Sequence, residues 1–143
     1  MQSKQAIATP DAPPALGPYS QAIRVNDTIY VSGQLPMDPK TRQLISGNIA
    51  KQTEQVLLNI RAILEEGEAS LEHVVKMTIY MKDLSQFDDM NRVFGLFLPT
   101  SEHSRTLPPA RSTVEVSRLP RDAAIEMDAI AVVTAGYVDL EIF

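Results

Sequence analysis

Between Asn48 and Glu66 the apolar residues Ile49, Val56, Leu57, Ile60, Ile63 and Leu64 recur on one face with a period of 3.6 residues, the pattern of an amphipathic helix. A lone helix of this kind is marginal in water, so the rest of the chain has to supply an apolar surface that covers the stripe. Gly67 stands where the helix should stop. Segments of period two supply the surface. Val75, Met77, Ile79 and Met81 alternate with Lys76, Thr78 and Tyr80, which predicts a strand over Val74–Met81. Earlier, Ala6–Thr9 is a short strand, the proline-rich stretch Pro10–Pro18 is a loop, and Gln21–Val25 with Ile29–Ser32 form a hairpin turning at Asn26-Asp27.

A second helix is expected from Ser85, as N-cap, to Pro99, with Phe87, Met90, Phe94 and Phe97 along one face. Two further strands, Ala110–Val116 and Ala124–Val133, are joined through Leu119-Pro120-Arg121-Asp122, and that short connection suggests antiparallel neighbours. Strands, helix, strand, helix, strands: this order implies an α+β sheet with both helices packed on one face. At 143 residues one domain that buries about 68–70 % of its unfolded surface is expected. The single domain spans 1–135, followed by an extension, 136–143, whose Tyr137, Val138, Leu140, Ile142 and Phe143 are apolar enough to pack.

Composition narrows the function classes. A formal net charge of −5 disfavours nucleic acid and anionic membrane surfaces as partners. The absence of cysteine removes disulfides, thiolate metal sites and cysteine nucleophiles. His73 and His103 are too isolated to form a metal cluster, so no metal site is expected. No long apolar run or secretory signal is visible, which makes a cytoplasmic protein the expectation. Serine-hydrolase elbows, phosphate-binding loops and dinucleotide fingerprints are likewise missing.

The residue type that points to chemistry is Arg111, at the mouth of the strand Ala110–Val116. Its planar fork matches a carboxylate with two parallel hydrogen bonds. By strand alternation Arg111, Thr113 and Glu115 share one face, while Glu126 and Asp128 share a face of the last strand. If the two strands pair directly, one sheet face carries an arginine and several carboxylates. The same residues also allow blander roles: a solvated arginine, or carboxylates on a polar face.

Four segments in order resemble the RidA/YjgF family of reactive-intermediate imine and enamine deaminases. They are Gly17-Pro18-Tyr19-Ser20-Gln21-Ala22; Val31-Ser32-Gly33-Gln34; Asp83-Leu84-Ser85-Gln86-Phe87 followed by Met90-Asn91; and Pro109-Ala110-Arg111-Ser112-Thr113-Val114-Glu115-Val116 with Ile125-Glu126-Met127. The resemblance covers about Ala6 to Val133. It implies a chorismate-mutase-like fold, assembly as a homotrimer with ligand clefts between subunits, and hydrolysis of 2-imino acids to 2-keto acids and ammonia without a cofactor.

Carried over by residue, the resemblance has Arg111 bind the substrate carboxylate and Glu126 hold or activate the attacking water. Tyr19 helps protonate the enamine carbon, and Ser32 and Gly33 line the cleft, Gly33 allowing close approach of the backbone. Asn91 faces the cleft from a neighbouring subunit, and Thr113 contributes its main-chain carbonyl. Asp128 departs from the glutamate common in relatives, the 99–108 loop is longer than usual, and the 136–143 extension runs past the usual end. Two other readings are a non-catalytic trimer that senses small keto acids and an endoribonuclease, the activity attributed to some relatives.

Overall fold

The structure, a computed structural model, describes residues 3–100 and 106–135. The expected packing of the 136–143 extension and residues 101–105 of the 99–108 loop, His103 among them, lie outside the described residues. Six strands form one mixed sheet: β1 (Gln5–Ile7), β2 (Ala22–Val25), β3 (Thr28–Gln34), β4 (Val74–Met81), β5 (Ala110–Glu115) and β6 (Ile125–Val132), in the spatial order β1-β2-β3-β6-β4-β5. Two helices, α1 (Ile49–Glu66) and α2 (Phe87–Phe97), accompany it. The α+β expectation is met. No helix among the described residues is long and apolar enough to cross a membrane.

The predicted hairpin is present. Val25 pairs with Thr28 across Asn26-Asp27, and Asn26 takes a left-handed φ of 53°, which asparagine tolerates. The first strand is shorter than expected and starts one residue earlier. The helix α1 begins at the Asn48 cap, whose side chain accepts the Lys51 N–H. It ends at Gly67, but not by a left-handed cap: φ there is −86°. What requires glycine is space, because a Cβ would lie 2.7 Å from Ile7 Cδ1. The second helix also differs from expectation at its start. Ser85 is not its cap: α2 starts from Gln86 without a side-chain cap bond, and the Asp83 carboxylate accepts the Ser85 N–H of a short 3-10 turn, Leu84–Gln86, that leads into α2.

The antiparallel pairing expected between the last two strands does not occur. β6 lies between β3 and β4, antiparallel to both, and β5 lies at the edge, parallel to β4. The physical reason is the helix before β5. A strand-helix-strand unit returns the chain in the same direction and pairs β5 with β4, so the short segment after β5 must pass over β4 to reach the slot beside β3. Proximity in sequence favoured a hairpin, whereas the crossover helix decides the partner.

Alternation along the strands then separates two faces. Ile29 and Val31 of β3, Met77, Ile79 and Met81 of β4, and Ile125, Met127, Ala129 and Ala131 of β6 are buried with the apolar faces of α1 and α2. Of the expected inward residues of β4, Val75 is exposed and Val74 is buried in its place, because a bulge between Val74 and Lys76 resets the register. From α1, Val56, Leu57, Ile60, Ile63 and Leu64 are fully buried, and burying each large side chain contributes roughly 1.5–3 kcal/mol before entropy is subtracted. The opposite face carries Tyr30, Lys76, Thr78, Tyr80, Ser112, Val114, Glu126, Asp128 and Ile130, all at least partly exposed.

Candidate active site

Arg111 sits on β5 opposite Met77 in register, so its side chain projects to the helix-covered face at the sheet's edge. There α2 receives it. Phe87, Asn91 and Phe94 are spaced i, i+4, i+7 and share one helical face. Arg111 donates a 2.6 Å hydrogen bond from Nη1 to Asn91 Oδ1, and its guanidinium carbon stands 4.8 Å and 5.5 Å from the ring centres of Phe94 and Phe87. The rings and the amide orient the fork without neutralising it. Among the described residues no carboxylate lies within ion-pair distance of Arg111. Partial burial lowers the guanidinium's pKa, a cost that a carboxylate ligand would offset.

Asn91 therefore meets Arg111 within one chain, which corrects the expectation that it faces Arg111 from a neighbouring subunit. Thr113, two residues along on the same face, has a buried Oγ1 with no hydrogen-bond partner among the described residues. Glu115 ties the strand to the start of α2 by accepting the Leu84 N–H at 3.0 Å.

Glu126 lies on β6 opposite Tyr80, so it points to the other, open face. The expectation of one face bearing both Arg111 and Glu126 is thus overturned, because Arg111 is in register with Met77 of β4 and Glu126 with Tyr80, three residues apart and therefore on opposite faces. Glu126 instead joins Tyr19, Ser32 and Gly33 in lining a cleft of about 560 Å³, together with Pro13, Leu16 and Arg121 among others. Gly33 is where the ladder between β3 and β6 slips register. An added Cβ there would sit 2.9 Å from Glu126 Cδ and 3.0 Å from Oε2, so a larger residue would push the carboxylate aside. Burial first, and the neighbouring Asp128 charge second, raise the pKa of Glu126 above the ordinary carboxylate value.

Ser32 uses its hydroxyl locally, donating a 2.6 Å bond to Ser20 O, and its N–H bonds Gln21 O at 2.9 Å. Both bonds fix the loop that carries Tyr19, whose ring is exposed at the cleft. The buried Gln21 holds the same loop from below: its Oε1 accepts the Thr9 N–H, and its Nε2 donates to the carbonyls of Thr9, Ala12 and Pro13. Sequence reasoning missed Gln21 as a support for the loop, although it stands inside the Tyr-Ser-Gln segment. It also read Phe87 and Phe94 only as core, when their spacing around Asn91 already marked a shared face.

The seven candidate residues thus form two half-sites on one chain. One is a cradle of Arg111, Asn91 and Thr113 on the helix side. The other is a cleft lined by Glu126, Tyr19, Ser32 and Gly33 on the open side. Neither half contains a cluster of metal-binding side chains among the described residues.

Comparison with known proteins places this arrangement. The family model described as Endoribonuclease L-PSP matches residues 9–133. The chain belongs to this family, the RidA/YjgF group. A RutC family protein of Pyrococcus abyssi is 52 % identical over 90 % of this chain and 97 % of its own length. The 2-iminobutanoate/2-iminopropanoate deaminase of Escherichia coli is 43 % identical, covering 90 % of this chain and 97 % of the relative. The crystal structure of RidA from an Antarctic Psychrobacter species superposes with a TM-score of 0.82 at 42 % identity, covering 90 % of this chain and 98 % of that one. The residues matched by the family model span β2 to β6, both helices and both half-sites.

Proposed function

We propose that this RidA-family chain is a hydrolytic deaminase of 2-imino acids and their enamine tautomers, such as 2-aminoacrylate and 2-iminopropanoate, releasing 2-keto acids and ammonia. The observation that carries the reading is the Arg111 cradle: a guanidinium oriented by Asn91 and stacked on two aromatic rings, with no carboxylate partner among the described residues. The name of the E. coli relative supports the same chemistry.

The two half-sites on opposite faces of one sheet require a second copy to bring them together. A homotrimer does so if the cradle of one copy abuts the open-face cleft of the next, and the partly apolar open face, with exposed Tyr30 and Val114, is the surface such an assembly covers. Arg111 then holds the substrate carboxylate over Glu126. An imine carbon is already electrophilic, so orientation and one basic group suffice. Water attacks C2 and the π electrons move to nitrogen; Glu126 takes the water proton and delivers it to that nitrogen, giving a carbinolamine. In the second half the hydroxyl proton passes to Glu126, the carbonyl forms, the C–N bond breaks and the amine leaves with the proton as ammonia. Where the substrate arrives as the enamine, Tyr19 gives a proton to its terminal carbon and takes one back from the resulting iminium nitrogen, leaving the imine, and no cofactor takes part.

A coupled assay with freshly generated 2-aminoacrylate tests the reading. Accelerated keto-acid formation is expected, lost in Arg111→Ala. Keto-acid binding with no acceleration would instead identify a metabolite-sensing oligomer. Cleavage of single-stranded RNA by ribonuclease-free protein would favour the nuclease activity named in the family's description; the net charge and the lining of the cleft, which includes no histidine, argue for the small acid.

A further inference from the structure

Glu126 does not face the open side alone. Its register partner on β4 is Tyr80, yet the Tyr80 hydroxyl leans past it and donates a 3.0 Å hydrogen bond to Asp128 Oδ2, two residues along β6 on the same face. Asp128's own register partner is Thr78. The diagonal bond holds one carboxylate beside the other on a pleat where alternate side chains stand close. We propose that Tyr80 and Asp128 are positioning residues for Glu126: the tyrosine pins the Asp128 carboxylate, and that fixed negative charge keeps Glu126 able to take a proton from water and hand it to the leaving amine. This rests on the deaminase reading above for its catalytic meaning, but the coupling of the three side chains does not.

The surrounding groups define what else could act on Glu126. Asp128 adjoins it on β6, Tyr80 faces it from β4, and Gly33 and Ser32 face it from β3 with no ionisable side chain; Tyr19 and Arg121 line the same cleft. Lys76, further along β4, donates to Ser112 Oγ at 3.1 Å. The Asp128 charge raises the pKa of Glu126 after burial does, and the bond to Asp128 is the largest cause raising that of Tyr80, which keeps its proton and stays a donor. A carboxyl that takes up and gives away a proton twice in one turnover works best with a pKa moved toward the operating pH. Burial alone moves it part of the way; a neighbouring anion moves it further in the same direction. The sign is fixed: removing the Asp128 charge lowers the affinity of Glu126 for its proton.

The test is a carbon-13 NMR titration of the glutamate side chains in the full-length protein, the Glu126 signal being assigned by its absence in Glu126→Gln. In Asp128→Asn the Glu126 midpoint should fall by at least about half a pH unit. In Tyr80→Phe it should fall by a smaller but measurable amount, because the unpinned carboxylate can turn toward solvent. A fall below half a unit in a folded Asp128→Asn overturns the role of Asp128, and an unmoved midpoint in Tyr80→Phe overturns the pinning. Asp128→Ser serves if the asparagine variant does not fold. The acid limb of kcat/KM for 2-aminoacrylate should follow the NMR midpoints in each variant. A titration that shifts as stated in a protein with no deaminase activity would sink the functional reading while leaving the coupling intact; an active enzyme whose acid limb ignores Asp128→Asn would sink the positioning role while leaving the function.

Discussion

The two faces of the sheet obey different rules. On the helix side, alternate residues such as Met77, Ile79, Met127 and Ala131 are wholly or almost wholly buried, and apolar packing dictates nearly every identity. At the β5 edge a charged group intrudes, where Arg111 is accommodated by Asn91, Phe87 and Phe94. On the open side the same strands present Tyr80, Glu126, Asp128, Thr78 and Lys76, a polar row among scattered apolar residues. The covered face can hold an anchor rigidly because its surroundings are packed. The open face can hold proton-transfer groups because part of it stays hydrated until something covers it. On the proposed reading, one chain builds binding on one side and chemistry on the other, and an assembly of copies joins them.

The largest expected effects come from breaking each side separately. Glu126→Gln should cut kcat by about 10²–10⁴-fold with ligand binding retained, since the amide keeps the shape and loses the basicity. Arg111→Ala should cost about 2–5 kcal/mol in kcat/KM, roughly 30-fold to several thousand-fold, with KM carrying much of it. Steady-state kinetics separate the two patterns. Mixing the two inactive variants under subunit exchange sharpens the contrast: if the half-sites meet between copies, about a quarter of the sites regain both groups. No recovery after demonstrated exchange would place the complete site within one chain.

Stability should divide the faces as well. Ile79→Ala, on the covered face of β4, is expected to destabilise the fold by about 2–5 kcal/mol, seen as a lower denaturant midpoint. Tyr30→Asp, exposed on the open face, should leave the fold nearly unchanged and lower the oligomer mass measured by light scattering. A trimer that survives Tyr30→Asp would show that this part of the open face is not its contact surface.

A smaller effect is expected at the seam between the two rules. Gly33→Ala puts a methyl group against the Glu126 carboxylate. The carboxylate is the end of a flexible side chain and can shift, so stability should fall by about 1 kcal/mol or less, whereas turnover should drop about tenfold or more because the displaced group no longer meets the substrate. Equal activity of Gly33→Ala and wild type would mean that Glu126 does not act from the position seen here.

What was legible in the sequence was local. Period 3.6 gave away α1 through Leu57, Ile60 and Leu64, and period two placed Met77 and Ile79 on one side of β4, because side-chain direction follows from backbone geometry within a few residues. Even the shared face of Arg111 with Thr113, and of Glu126 with Asp128, follows from alternation alone. The resemblance of Gly17–Ala22 and Pro109–Val116 to RidA-family segments identified the candidate residues themselves. What alternation cannot supply is the partner of a strand. Whether Arg111 and Glu126 face the same way depends on how each strand registers against β4; once the α2 crossover has made β5 parallel to β4 and sent β6 to the slot beside β3, Arg111 pairs with Met77 and Glu126 with Tyr80, on opposite faces. The pairing of Asn91 with Arg111 inside one chain, the diagonal reach of Tyr80 to Asp128, and the close approach of Gly33 to Glu126 are likewise contacts between residues 20 and 48 positions apart or more. Sequence periodicity is a property of one segment; these contacts are products of how segments pack, and only the tertiary structure decides them.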